Sequence, residues 1–194
     1  MKLNRNYDNY EAYLEYQKTK TLDPQKRKMW VTTEWDMKIQ LFTKLFNLHN
    51  NIIQQCKSGL CVCARMGQEV QALRNLGMQA IGIDLVPYEP LVIQGDMHKL
   101  SFEDNTFDFV FSNSFDHSLY PSVLVQEIER VLKPDGYCWL ILQTNMAGDE
   151  YAENDIGSSQ DVVSLFQKSG VAVDLPLSPS FRWTYNWELI MRKK

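Results

Sequence analysis

The sequence predicts an α/β chain built on a doubly wound, mostly parallel sheet, and three observations carry that expectation. An apolar run at 60–63 leads into a turn containing Gly67, a helical stretch, and a second strand ending in Asp84; this is the order in which doubly wound sheets are laid down. The runs FDFVF at 107–111 and YCWLIL at 137–142 are continuously apolar, as parallel strands covered on both faces are. The final run NWELIMRKK follows PLSPSFRWTY without room for a helix, so its strand must reverse and leave one antiparallel strand at the sheet edge.

Residues 1–57 are helical in pattern and read as an N-terminal helical extension placed to act as a lid on the 58–194 unit. Tyr7, Tyr10 and Leu14 fall at helical spacing. Trp35, Ile39, Phe42, Phe46 and His49 do so on a second helix, with Thr32 or Thr33 as its cap. Between them KTKTLDPQKRK is basic and broken at Asp23-Pro24, which reads as a solvated linker. His49 lies near a helix end, facing solvent or stabilised by the dipole. Beyond residue 58, strands are placed near 60–63, 80–84, 91–94, 107–112, 137–143, 171–175 and 186–192, and helices near 67–76, 121–132 and 159–168. Gly77 follows Leu76 as a C-cap glycine, and Lys133 to Gly136 makes a turn between helix and strand. The acidic stretch Asp149, Glu150, Glu153 and Asp155 reads as a solvated mobile loop, and Phe181, Trp183, Tyr185 and Trp187 as sheet packing.

With 44% hydrophobic and 23% charged residues among 194, the chain has apolar mass for one good core. A net charge of -4 argues against sequence-independent attraction to nucleic acid. The start MKLNRNYDNYEAY lacks the apolar stretch of a signal peptide, and no run approaches the roughly 18 to 20 apolar residues of a membrane span. A cytoplasmic chain is therefore expected. Four cysteines without paired CxxC turns suggest reduced thiols and no metal site. Cys61 and Cys63, two apart on a predicted strand, share a face.

The blocks GIDLVP at 82–87, GDMHKLSFEDNTFDFVFSN at 95–113 and VLVQEIERVLKPDGYCWLIL at 123–142 resemble those of class I S-adenosylmethionine-dependent methyltransferases of the small-molecule type. The resemblance spans about 59–192. It implies a compact seven-stranded Rossmann-like sheet, S-adenosyl-L-methionine as cofactor, and a small-molecule acceptor such as a sugar or other hydroxylated metabolite. It further implies Asp84 at the ribose hydroxyls, Asp96 and Met97 at the adenine, Leu85 on the other ring face, and Asn113 in the cleft. Helix-capping or turn roles stay open for Asp84 and Asp96.

The first turn departs from that family. Aligned on Gly67, Cys61 stands at the family's acid and Cys63 and Arg65 at two of its glycines. The change removes easy access to positive φ and the anchor for the cofactor's amino group. Arg65 either grips the cofactor's carboxylate in a fork or blocks the site.

The loop 112–121 supplies the candidate chemistry: His117 as general base titrating near neutrality, Asp116 as its orienter and Tyr120 as a substrate contact. Pro121 opens a helix, so Asp116, His117 or Ser118 could equally cap its entry. Two other readings stay open. One is a catalytically silent binding module on the same fold, which the altered turn favours. The other is a nicotinamide-dependent oxidoreductase, against which the missing GxGxxG counts.

Overall fold

The computed structural model describes residues 1–178, 181 and 185–194. The first part of the chain runs β1 (Lys2–Leu3), α1 (Tyr10–Leu22), α2 (Pro24–Val31), α3 (Trp35–Asn47) and α4 (Asn50–Ile53). The sheet region follows as β2 (Ser58–Val62), α5 (Gln68–Asn75), β3 (Gln79–Asp84), β4 (Val92–Gln94), β5 (Phe107–Ser112), α6 (Pro121–Val131), β6 (Leu132–Leu142), β7 (Asn154–Asp155), α7 (Ser159–Val163), β8 (Ser169–Pro176) and β9 (Trp187–Lys193). Seven strands form one sheet in the order β4-β3-β2-β5-β6-β9-β8. β9 is antiparallel to both its neighbours, so the reversed strand lies one position in from the edge. Strand order reverses at β2, whose partners β3 and β5 lead to opposite edges and open a crevice at the strand C-termini.

Alternation along the strands builds two core layers. Leu60, Val62, Val110, Leu140 and Leu189 join Leu124, Val125 and Ile128 of α6 on one face. Cys61, Phe109, Phe111, Trp139 and Ile190 meet Phe42 and Phe46 of α3 and Val70 and Leu73 of α5 on the other. Phe46 is fully buried and makes edge-on contacts with Phe109, Phe111 and Trp139. Burial of such a ring stabilises by about 2 to 3 kcal/mol. Gly77 adopts φ 92° after α5, and Met78 N–H reaches back to the Leu73 carbonyl at 3.1 Å, the expected left-handed helix stop.

Several local expectations are corrected. The basic stretch 18–28 is helical on both sides of Asp23, whose carboxylate accepts from the Gln25 and Lys26 N–H groups at 2.8 and 3.0 Å; an Asp-Pro pair is an efficient helix start. α1 buries Tyr13, and Tyr7 precedes the helix. Glu34, not a threonine, precedes α3, and it makes no side-chain cap. His49 packs edge-on against Trp139 and meets Glu188 at 3.1 Å. The Lys133 to Gly136 turn is an irregularity inside β6, paired against β5 on either side. α7 ends at Val163, five residues short of the expected end. Cys63 lies beyond β2, in the turn, so it does not share the strand face of Cys61. The acidic stretch is only partly solvated: Asp149 and Glu150 are exposed, but Glu153 is 0% exposed and accepts from Tyr7 and Gln17 at 2.6 and 2.7 Å. Trp183 lies outside the described residues.

Candidate active site at the strand C-termini

The turn after β2 keeps a glycine-type backbone although two of its positions carry side chains. Cys63, Arg65 and Gly67 all hold positive φ, at 60°, 50° and 82°. Each non-glycine residue held there costs roughly 1 kcal/mol or more. Asp84 at the end of β3 steadies the turn. One carboxylate oxygen accepts the Arg65 N–H at 3.0 Å, and the other accepts the Val86 N–H at 3.1 Å. Burial nevertheless raises its pKa above the usual carboxylate value. Each oxygen keeps a second lone pair for a ligand hydroxyl. Gly67 opens α5 and packs on β4; a Cβ there would lie 2.8 Å from Leu91 Cβ. It shapes the turn and does not face the cavity.

A chamber of about 560 Å³ opens beside this turn. Its wall includes Trp30, Arg65, Glu69, Asn113, Asp116 and His117. Phe181 and Tyr185, expected in sheet packing, line it too. A second recess of about 50 Å³ lies over Asp84, Leu85, Asp96 and Met97, and α1 fills its mouth with Tyr13 and Leu14. Asp96 accepts from His98 N–H at 2.8 Å and from the Tyr10 hydroxyl at 2.7 Å. Burial works to raise the Asp96 pKa, but the hydrogen bonds from His98 and Tyr10 hold it below the usual value. Met97 is buried, with its sulfur 3.9 Å from the Cys63 thiol.

The Asp116 and His117 expectation is rearranged. Both belong to a single 3₁₀ turn, Phe115–His117. His117 Nδ1 pairs with Gln17 Oε1 at 3.2 Å, and Nε2 lies 3.8 Å from Asp149. Gln17 of α1, not Asp116, orients the imidazole. Burial and the Lys20 charge push its pKa down to about 3, so the ring is neutral at neutral pH. Asp116 faces the chamber at 8% exposure. Burial and the neighbouring Asp149 charge push its pKa up to about 7. Tyr120 is 47% exposed and stacks on Tyr10 at 5.8 Å; it lines neither cavity, so its assignment as a substrate contact is not supported.

Gln17, Trp30 and Glu69 escaped the sequence reading, and Lys20 and Asp149 entered it only within charged stretches read as solvated. Four of them reach the site from segments without a motif. Glu69 lies in the first turn of α5, where an acid is ordinary helix chemistry.

Residues 60–140 match the model of the family described as methyltransferase domain. This segment is similar to methyltransferase domains. A 75-residue stretch is 37% identical to the glycine/sarcosine/dimethylglycine N-methyltransferase of Actinopolyspora halophila, covering 38% of this chain and 13% of that protein. The fold of the chain resembles that of a Burkholderia thailandensis 1,6-didemethyltoxoflavin-N1-methyltransferase solved with S-adenosylhomocysteine. The TM-score is 0.72 at 11% identity, covering 100% of this chain and 93% of that one. An Aquifex aeolicus SAM-dependent methyltransferase aligns at TM-score 0.56 and 19% identity, over 71% of this chain and 82% of that one.

The residues present fit the family's cofactor chemically. Asp84 and Asp96 offer acceptors to a nucleoside, and the chamber beside the turn has room for the remainder. The nucleoside end is too narrow while α1 is seated, because small-molecule sites span roughly 300 to 1,000 Å³.

Proposed function

We propose that this chain transfers a methyl group from S-adenosylmethionine to a nitrogen or oxygen of a small-molecule acceptor held in the 560 Å³ chamber. The observation that carries this reading is Asp116: a buried carboxyl facing the chamber, protonating near neutrality, as a general base at work there requires. Asp84 would hold the ribose, Asp96, Met97 and Leu85 the adenine, and Asn113 and Arg65 the part nearer the chamber, with Gly67 keeping the turn. When bound, the cofactor would supply an activated sulfonium methyl for the acceptor's lone pair, with S-adenosylhomocysteine as the leaving group.

The protein's part is to align the acceptor, exclude water and accept its proton at an Asp116 oxygen. His117, neutral and fixed by Gln17, shapes the wall beside that oxygen. The helical segment 1–57 acts as a lid, and α1 lifts Tyr10 and Tyr13 to admit the nucleoside. The chamber suits a metabolite-sized acceptor, including a hydroxylated one.

The narrow recess favours a second reading, a catalytically silent binding module on the same fold. Calorimetric titration with S-adenosylmethionine and S-adenosylhomocysteine, on the wild type and Asp84→Ala, tests the cofactor site, and methyl-transfer assays test the silent module. No binding to folded wild type removes the enzyme, micromolar binding lost in the variant places the cofactor at Asp84, and turnover with any acceptor removes the silent module.

A further inference from the structure

Arg65 and Glu69 stand in one wall of the chamber, close enough for the Arg65 charge to favour the Glu69 carboxylate but without a direct ion pair. The Arg65 guanidinium lies 4.4 Å over the Trp30 ring. The Trp30 carbonyl is tied to Gln68 Nε2 at 3.0 Å, so the platform is fixed. No carboxylate pairs with that guanidinium among the described residues. Glu69 is 5% exposed, and its carboxyl is met among the described residues only by its own backbone N–H. Lys38, the lysine nearest in charge, is engaged with Glu34 at 2.6 Å. A buried carboxyl that opens on a cavity with no cation or side-chain donor bonded to it is costly unless a ligand completes it.

We infer that Arg65 and Glu69 form a receptor for a zwitterionic α-amino-carboxylate head group, the guanidinium gripping the carboxylate and Glu69 the ammonium. The planar fork of arginine suits a carboxylate, and a buried acid suits an ammonium. Burial pushes the Glu69 pKa up to about 7, and an arriving ammonium would restore its charge. The family's strand acid is replaced by Cys61, which is buried within the electrostatic reach of Glu69. Glu69 thus returns an acid to the same region from the helix. The head group could belong to the cofactor's methionine portion, in which case the inference rests on the methyl-transfer reading, or to a free amino acid.

Titration of the full chain with S-adenosylhomocysteine, with 5′-methylthioadenosine, which lacks the head group, and with L-methionine tests this. Glu69→Gln and Arg65→Gln serve as variants, with thermal melting as the check on folding. The expected result is that each variant weakens S-adenosylhomocysteine about tenfold or more, the scale of a charge-assisted hydrogen bond, while 5′-methylthioadenosine is unchanged. If L-methionine binds alongside S-adenosylhomocysteine and only the amino acid is weakened, the head group is a free amino acid's. If no nucleoside binds but L-methionine does in a Glu69-dependent way, the receptor stands and the methyl-transfer reading falls. Equal effects on both nucleosides, no effect of either substitution, or no binding of any probe overturns the receptor. Should one variant fail to fold, the other decides.

Discussion

Tyr10 and Asp96, 86 positions apart in sequence, share a 2.7 Å hydrogen bond that seats the first long helix over the cleft. The same hydroxyl lies 2.7 Å from His98 Nδ1, and the Tyr10 ring stacks on Tyr120. The acid expected to meet an adenine is therefore engaged by the chain's own tyrosine.

Tyr10→Phe keeps the stacked ring and removes the hydroxyl. The expected outcome is a loss of roughly 1 to 3 kcal/mol in stability, the range for a hydrogen bond to a charged group, together with tighter S-adenosylhomocysteine binding. Opening the seat then costs less, so the competent state is more populated. Calorimetry and urea melts on the same preparation check both halves; weaker binding would contradict the lid.

Asp116→Asn tests the general base. In the folded chain Asp116 protonates near pH 7, against about 3.9 when unfolded. The folded state thus holds the extra proton between those values, and the carboxyl's cost to stability grows as pH rises through the window. The variant should match wild type near pH 4 and exceed it above pH 7, by at most about 4 kcal/mol at ~1.4 kcal/mol per unit. Wild-type methyl transfer should rise with pH through about 7, and the variant should lose that limb along with most activity.

His117 carries the opposite sign. Its folded pKa is pushed down to about 3, and the unfolded value is about 6.5. The unfolded chain takes the proton first, so the contribution to stability present above pH 6.5 is lost as pH falls towards 3. The stability of wild type minus that of His117→Gln should drop by up to about 2 kcal/mol between pH 7.5 and 5. Nitrogen NMR should show a neutral imidazole at pH 5, and a protonated ring there would refute the assignment.

Asp84→Ala removes the acceptor of two turn N–H groups. With Cys63 and Arg65 held at positive φ, the turn should loosen at a cost of roughly 2 kcal/mol. Hydrogen exchange should quicken at 63–67 before it quickens in the β5 and β6 core. Unchanged exchange at the turn would show that Asp84 does not hold it.

The sequence by itself determined the succession of strands along the chain, the reversal of the last strand and the acid at the end of β3. Each is written in local periodicity, a short connection or a residue at a strand end, and burial on both faces of a parallel sheet enforces them. It also located Asn113, Asp116 and His117, since a loop after a central strand must reach the crevice. Only the tertiary structure decided what those residues touch. Gln17 replaces Asp116 beside His117, Tyr10 engages Asp96, and Tyr120 stacks on Tyr10. A protonation state depends on what desolvates a group and which charges face it. For Asp116 and Glu69 those surroundings arrive from distant segments, and no spacing in the chain encodes the encounter.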